Sequence, residues 1–295
     1  MVRQLILSGL LLVGGVVYGQ ESSLLWRIEK DGNFEGYLFG TYHSSASFAN
    51  SDSTFLFDRM KECTIFVPEI DLTKAEELAN ELAPMMMFME GLNSLYTEDE
   101  WAVVDAYFSE QIGTMRGAVY LLKPFWAMIM AENIKTMQEE TVEEGDASED
   151  ELSLILDVLL CNKAMIQGMK ISPLETPVEQ MDAVNSIPLE DQAKSLLEAI
   201  GMHEDGIDPQ ELLEKCYQSH DLNCLVDVYN ENALSTSAEE ALIEMRNKRM
   251  GERLLEKLQD EAPVFCAVGA LHLPRYMGLI DQLDLAGYTL TAIKY

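Results

Sequence analysis

The sequence has few of the residues that usually identify a functional site at first sight. It contains four histidines and five cysteines in 295 residues. The cysteines form no close Cys-x-x-Cys pair, which argues against a structural zinc site. There is also no Gly-x-Ser-x-Gly elbow, so Ser44 and Ser45 are interpreted as turn residues, not as nucleophiles.

Basic side chains are scarce as well. Lysine and arginine total 20 against 51 aspartates and glutamates, which gives a formal net charge of -31 at pH 7. A surface this acidic repels phosphate backbones and anionic lipid head groups, so nucleic-acid binding is not expected. The acidity indicates solubility and does not by itself identify a cationic partner.

The first apolar run extends from Leu5 to Val17, after a single arginine and before small and polar residues around Gly19. It is shorter than the roughly 20 residues that a membrane-spanning helix needs. We therefore predict a signal peptide over residues 1–19 and a single secreted or periplasmic domain over 20–295, with no stable membrane anchor after cleavage. In such an exported chain, Cys216 and Cys224 are the best candidates for a disulfide.

Six apolar runs predict strands, and two long stretches with helical spacing, at about 74–167 and 178–259, separate them. Strands near both ends with helices between them predict an α/β (α+β) fold in which the terminal strands share one sheet. The runs are Leu24–Ile28, Tyr37–Phe39, Thr64–Val67, Met169–Pro173, Val264–Val268 and Tyr288–Ile293.

Four side chains suited to catalysis or metal binding follow strand-like runs. They are His43 after YLFGTY, Glu69 after TIFVP, Glu175 after KISPL and His272 after VFCAVGAL. Each histidine comes three residues after a glycine, and a residue without a side chain permits a sharp turn or a close approach. If the strands are parallel, their carboxyl ends border one crevice, where the four groups would converge.

Two imidazoles and two carboxylates suit zinc, manganese, cobalt or iron, whereas calcium prefers oxygen ligands alone. Without a metal, a histidine paired with a glutamate can activate water as a general base. The simpler interpretations are strand-end histidines bonded to backbone, and glutamates that cap helices or lie at the surface.

Arg246 lies in a strongly helical segment, and its guanidinium could hold a substrate carboxylate or brace an active-site glutamate. A surface salt bridge with Glu244 or Glu252 is an equally simple interpretation. The inward face of this helix is predicted from its apolar positions Leu242, Met245, Met250 and Leu254.

As a set, these stretches resemble the TraB/GumN family, which includes the Tiki proteins. The resemblance spans nearly the whole mature chain and rests on YLFGTYHSS, VPEIDL, PLETPVEQ, MRNKRM and VGALHLPRYMGLIDQLDLAGY, in the family's order. It implies a mixed β-sheet flanked by many helices, similar to erythromycin esterases and a haem-binding lipoprotein group.

The resemblance also implies a chemistry. Tiki members look like metal-dependent peptidases that use the two Gly-x-x-His motifs and an acidic residue, which correspond to His43, His272 and Glu69. Glu175 and Arg246 match further motif positions. The leading hypothesis is therefore an exported metal-dependent hydrolase, a peptidase acting on a peptide or protein, with a divalent Mn, Co or Zn ion held by these three ligands. Glu69 or Glu175 would be the base, and Arg246 would orient the substrate.

Two other functions stay open. One is a non-catalytic protein that binds a peptide, haem or a metal-containing ligand, which is motivated by the methionine-rich run at 85–89. The other is a metal-free esterase in which a histidine and a glutamate activate water.

Overall fold

The structure is a computed structural model that describes residues 22–42, 50–74, 82–131, 156–201, 209–231, 235–260, 263–274 and 277–295. Its strands are β1 Leu25–Lys30, β2 Asn33–Thr41, β3 Ile65–Pro68, β4 Lys170–Ile171, β5 Val264–Gly269 and β6 Thr289–Ile293. The helices that precede β4 are α1 Asn50–Met60, α2 82–86, α3 Glu98–Ile112, α4 Arg116–Val119, α5 124–131 and α6 Leu156–Ile166. Those that follow it are α7 Pro177–Ser186, α8 Leu189–Gly201, α9 Pro209–Gln218, α10 Leu222–Glu231, α11 Thr236–Glu239, α12 Met245–Asp260 and α13 Leu279–Leu285.

The six strands form one mixed sheet in the order β4-β3-β5-β2-β1-β6. Strands β2, β3, β4 and β5 are parallel, whereas β1 runs antiparallel to both β2 and β6. The predicted α/β (α+β) fold with a mixed sheet and many helices is confirmed, and each predicted run contains a strand. The prediction missed the start of β2, because the polar residues Asn33 and Glu35 interrupt the apolar run there. Asn33 and Phe34 pair with β1 across a tight turn at Asp31-Gly32, where both φ angles are positive.

The centre of the sheet is buried on both faces. Strand β3 is buried at every position and β5 at five of six, which is the pattern of parallel strands covered by helices on both sides. The ring of Phe265 packs here against Phe39 and Phe66, with centroids 6.3 Å apart in each pair. A second core, around Phe108 and Leu196, packs α3 against α5 and α8.

Helices α7 and α12 carry most of the polar side chains near the carboxyl edge of the sheet. Helix α7 begins where the sequence indicates, because Thr176 forms a capping box with Glu179 and Pro177 takes the first turn. Helix α12 follows a π-helical turn, Glu240–Glu244, and the two are continuous.

The predicted inward face of α12 is wrong at Met245, which is 58% exposed. The buried stripe is Asn247, Met250, Gly251, Leu254 and Leu258. Met245 precedes Asn247 by two residues, or about 200° around the helix, so the two side chains point to opposite faces. Met250 and Leu254 are buried as predicted, but the sequence pattern did not reveal Asn247, because this residue is polar.

The predicted disulfide between Cys216 and Cys224 is present and joins α9 to α10, while Cys63, Cys161 and Cys266 are free and buried. Within the described ranges, the helices are too short or too polar to cross a lipid bilayer.

Candidate functional site

The parallel strands bring three of the four predicted groups to one edge of the sheet. Glu69 follows β3, Glu175 follows β4 after a short connection, and His272 ends a 3-10 turn that follows β5. This arrangement bears out the assumption that the strands preceding the four groups are parallel. His43 lies outside the described residues; strand β2, which leads to it, ends at Thr41 beside β5.

The glycines that begin the two Gly-x-x-His motifs lie on neighbouring strands, because β2 and β5 pair with Gly40 opposite Val268 and Thr41 opposite Gly269. A Cβ atom on Gly40 would approach Ala270 to 3.0 Å, and one on Gly269 would be 3.1 Å from Oε1 of Glu69. The backbone N–H of Gly269 donates to this same oxygen at 2.5 Å. Each glycine is therefore needed for close packing at the edge where the site forms.

His272 is held in one orientation by Asn247 from α12. Nδ1 of His272 is 2.7 Å from Oδ1 of Asn247, and both residues are buried. Because an amide oxygen only accepts, this contact places the imidazole proton on Nδ1 and leaves a lone pair on Nε2. Nε2 lies 3.8 Å from Oε1 of Glu69. The histidine therefore offers a basic nitrogen toward a carboxylate at the sheet edge.

The two glutamates share a buried guanidinium. Nη2 of Arg246 is 2.6 Å from Oε2 of Glu69 and 2.8 Å from Oε2 of Glu175. Arg249 adds a bidentate contact to the other oxygen of Glu175, with bonds of 3.0 and 2.6 Å. The side chain of Glu175 is completely buried. Two carboxylates and two guanidiniums thus form a cluster without net charge, which is how charges are accommodated away from water.

Arg246 is the central member of this cluster. Burial disfavours its charge, but the neighbouring Glu69 and Glu175 carboxylates outweigh that effect and raise the pKa of Arg246 above its ordinary value. The side chain braces the predicted active-site glutamates, and the alternative of a surface salt bridge with Glu244 or Glu252 is wrong. The sequence did not distinguish a residue that braces the glutamates from one in a surface salt bridge. Acidic residues at helical spacing from Arg246 are compatible with both interpretations.

Sequence reasoning missed a basic stripe along α12. Arg246, Arg249, Arg253 and Lys257 follow one another at spacings of three or four residues, which places them on one side of the helix. Each binds the connection between β4 and α7. Arg246 and Arg249 donate to Glu175. Arg253 donates to the Leu174 carbonyl and also to Glu179 at the start of α7, and Lys257 donates to Ser172. In a chain with so few basic residues, this regular spacing was the signal that could have identified them.

Three amide side chains near the site also have no signal in the sequence: Gln180, Asn247 and Gln282. Nε2 of Gln180 donates to Oε2 of Glu69 at 3.0 Å, and Asn247 orients His272 as described above. Asn247 is itself fixed by Gln282, whose Nε2 donates to the Asn247 backbone carbonyl at 2.9 Å. Amides carry no charge and occur throughout the chain, so no pattern in the sequence distinguished these three.

The described side chains near the sheet edge provide part of a donor set for a divalent metal ion. Among the residues that the structure describes, no three His, Cys, Asp or Glu side chains come together in a metal-binding group. Among these residues, Glu69 and His272 supply a carboxylate oxygen and an imidazole nitrogen of the kinds that would bind such an ion, and the two atoms lie 3.8 Å apart. A metal-ligating histidine usually donates its other ring N–H to a fixed acceptor, and Asn247 provides that acceptor here. The described donors therefore fit a metal ion that takes further ligands from elsewhere.

Comparison with known proteins gives one match. The model of the TraB/PrgY/gumN family matches residues 24–292, nearly the whole chain. No curated protein and no solved structure matches the chain significantly.

Proposed function

The chain belongs to the TraB/PrgY/gumN family, and from this premise and the geometry of the site we propose that it is an exported metal-dependent hydrolase that cleaves peptide bonds. The arrangement of Asn247, His272 and Glu69 carries the proposal. It presents an imidazole lone pair and a carboxylate oxygen 3.8 Å apart at the carboxyl edge of a parallel sheet. This edge is where open α/β folds bind their ligands.

In this proposal His43, His272 and Glu69 hold a divalent ion, manganese, cobalt or zinc. When bound, such an ion lowers the pKa of a water molecule toward neutrality and polarises a carbonyl oxygen. The chain supports ligation by fixing each group: Asn247 orients His272, and the Gly269 N–H holds the Glu69 carboxylate.

The hydrolytic step uses Glu69 as the base. A water molecule beside the Glu69 carboxylate attacks the carbonyl carbon of the scissile peptide bond. Its proton passes to Glu69, which returns it to the leaving amine as the C–N bond breaks, so the atoms and charges balance. Arg246 and Gln180 both donate to Oε2 of Glu69, which leaves Oε1 as the oxygen that faces His272.

Glu175 acts indirectly. Both of its oxygens accept from Arg246 or Arg249, so its role in the proposal is to position Arg246 beside Glu69. Arg246 in turn holds the Glu69 carboxylate in place and orients the substrate.

Export remains part of the proposal. The N-terminal run predicted as a signal peptide lies outside the described residues, and the Cys216–Cys224 disulfide supports an oxidising compartment outside the cytoplasm, secreted or periplasmic. Sequencing of the mature N-terminus after expression of the full chain tests this part, with cleavage expected near Gly19.

Metal analysis of the purified mature protein beside His43→Ala and His272→Ala variants tests the proposal. We expect each variant to lose most of the bound metal and at least a hundredfold in peptide cleavage. His220→Ala is the matched control, because His220 stacks on Tyr295 and takes no part in the site. The proposal fails if either site variant retains both its metal and its cleavage activity.

A metal-free hydrolase is the second candidate, since the contact of His272 with Asn247 also suits a histidine that acts as a general base beside Glu69. Chelation separates the two. Activity that survives exhaustive dialysis against a strong chelator would favour the metal-free reaction, and activity restored by added manganese, cobalt or zinc would favour the metal-dependent one.

A further inference from the structure

An apolar cleft of about 420 Å³ lies directly beside the buried carboxylates. Aliphatic and aromatic side chains from α5, α7 and the π-helical turn line it, together with Gln180 and Arg246. The apolar lining includes Ile70, Phe125, Met181, Tyr229, Leu242 and Ile243. Its volume is within the range of about 300–1,000 Å³ that is typical of small-molecule sites.

The cleft and the candidate site share a wall. Gln180 and Arg246, which line the cleft, donate to Oε2 of Glu69 at 3.0 and 2.6 Å. Ile70, another lining residue, follows Glu69 in the chain. A group that enters the cleft is therefore brought next to the carboxylate that acts as base in the proposed reaction.

We propose that this cleft binds a large apolar side chain of the peptide substrate, next to the bond that is cleaved. The assignment rests on the proposed hydrolase function and specifies its substrate class. Transfer of an aromatic or branched side chain from water into an apolar cleft is favourable without any charge complementarity. Substrates selected in this way are peptides with Phe, Leu or a similar residue beside the scissile bond.

The lining favours a peptide over a simple acyl chain. Nε2 of Gln180 is occupied by the carboxylates, but its Oε1 accepts no hydrogen bond from the described residues. An amide oxygen can accept from a substrate backbone N–H, which an acyl chain does not offer. The Arg246 guanidinium is already paired with two carboxylates, so it gives little attraction to a free fatty acid head group.

The π-helical turn shapes the cleft. Leu242 and Ile243 are consecutive residues of the turn Glu240–Glu244, and both line the cleft. A π turn accommodates an extra residue within a helix and is found frequently at functional sites. The turn ends immediately before α12, so the same element supplies the apolar lining and the Arg246 guanidinium.

Equilibrium binding of two blocked peptides tests the inference: acetyl-Ala-Ala-Phe-Ala-Ala-amide and the same peptide with Ser in place of Phe. Measured by calorimetry on the whole mature protein, the Phe peptide should bind at least about tenfold more tightly, because burial of its ring adds favourable free energy. Decanoic acid serves as the acyl-chain probe and should bind more weakly than the Phe peptide.

Matched variants locate the binding. Leu242→Glu places a charge in the cleft and should reduce the Phe-peptide affinity at least tenfold. Met245→Glu adds the same charge three residues further on, at a side chain that is 58% exposed and lies outside the cleft lining, and should leave it unchanged. Leu242→Trp fills the cleft without a charge and should reduce the Phe-peptide affinity as Leu242→Glu does. Because the two substitutions differ in chemistry, the same effect in both argues against a folding defect in one of them.

The outcomes separate this inference from the proposed function. Three results would overturn the cleft assignment without affecting the proposed hydrolase function. They are equal binding and equal cleavage of the Phe and Ser peptides, tighter binding of decanoic acid than of the Phe peptide, and an unchanged Phe preference in both Leu242 variants. A strong Phe preference without cleavage under manganese, cobalt or zinc would overturn the hydrolase and support the cleft as a peptide side-chain pocket.

Discussion

His272 shows how a single neighbour can decide the chemistry of a residue. A neutral imidazole can carry its proton on either nitrogen, and the hydrogen bond to Oδ1 of Asn247 selects Nδ1. Asn247 is completely buried, and Nε2 of Gln282 donates to its backbone carbonyl. The basic nitrogen is thereby kept on the side of Glu69, which both the metal-dependent and the metal-free reaction require.

This role predicts a change of tautomer when the acceptor is removed. In Asn247→Leu, His272 should lose its preference for the proton on Nδ1, and peptide cleavage should fall by about 10–100-fold, as is usual when a group that orients a ligand is lost. Nitrogen NMR of labelled histidine above pH 8 measures the tautomer directly, and the chain has four histidines to assign.

Asn247→Asp is the matched control for this prediction, because it keeps an acceptor at the same position. We expect the Nδ1–H form to persist in this variant. If Asn247→Leu shows the wild-type nitrogen shifts, the orienting role is wrong, whatever happens to activity.

At the scale of elements, α12 organises the carboxyl edge of the sheet. Its inner stripe packs against the core, and its basic stripe ties the connection between β4 and α7 in place through Glu175, Glu179, Leu174 and Ser172. The position of α7 therefore depends on ion pairs as well as on apolar packing. The ion pairs differ in burial: those of Arg246 are buried, whereas that of Arg253 with Glu179 is partly exposed. We therefore expect the buried and the exposed pairs to contribute different free energies.

Loss of the buried pair should be costly. Arg246→Met removes a guanidinium from both Glu69 and the buried Glu175, so we expect a loss of about 3–5 kcal/mol in the free energy of unfolding by urea. The comparison is Arg116→Met, which breaks a surface pair with Asp105 whose side chains are 34% and 41% exposed, and should cost less than about 1 kcal/mol. Equal losses in the two variants would contradict the proposed difference.

The pair of Glu179 with Arg253 should make stability depend on pH. The hydrogen bonds from Arg253, followed by those from the Thr176 cap, lower the pKa of Glu179 from 4.5 to about 2. A lowered pKa stabilises the fold above the unfolded value of 4.5, and this contribution disappears as the pH falls through 2. Because both side chains are partly exposed, we expect Glu179→Ala to cost only about 1–2 kcal/mol at pH 7.

Urea unfolding at pH 7, 4 and 2.5 checks this expectation, with the difference from wild type shrinking toward acid. Glu190→Ala is the control, because Glu190 is an exposed first-turn residue of α8. A difference from wild type that is the same at all three pH values would show that the capping contact, not the ionised pair, stabilises α7.

At the scale of the whole molecule, the site is assembled from distant parts of the chain. Glu69, Glu175, Asn247 and His272 meet only after β3, β4 and β5 have paired and α12 has packed beside them. Such long-range strand pairing is slow to form, because loop closure precedes the contacts that stabilise it. The disulfide acts locally in contrast, since it links the neighbouring helices α9 and α10.

Thiol counting tests the disulfide and the burial of the free cysteines. The native protein should show almost no reaction with a thiol reagent, because its three free cysteines are buried; burial raises the pKa of Cys63 to about 12 and that of Cys161 to about 11. Unfolding should expose three thiols, and reduction should raise the number to five. Five thiols without reduction would contradict the disulfide.

A stability measurement completes the test. Replacing both Cys216 and Cys224 by serine should lower the free energy of unfolding by about 2–3 kcal/mol, because the bond closes a short loop and restricts the unfolded chain. Cys161→Ser is a useful comparison, since it changes a buried free thiol and no crosslink.

The sequence by itself determined the class of fold, the six strands, the start of α7, the disulfide, the family and the residues Glu69, Glu175, Arg246 and His272 as candidates. These follow from local rules: apolar periodicity, capping residues, cysteine spacing and short motifs depend on neighbours in the chain. Only the tertiary structure decided that Arg246 joins the two glutamates, that Asn247 orients His272, that Gln180 contacts Glu69, and that an apolar cleft adjoins them. Such contacts join elements far apart in sequence. The hydrogen bonds of neutral amides and the shape of a cleft depend on how those elements pack. A local sequence pattern contains no information about that packing.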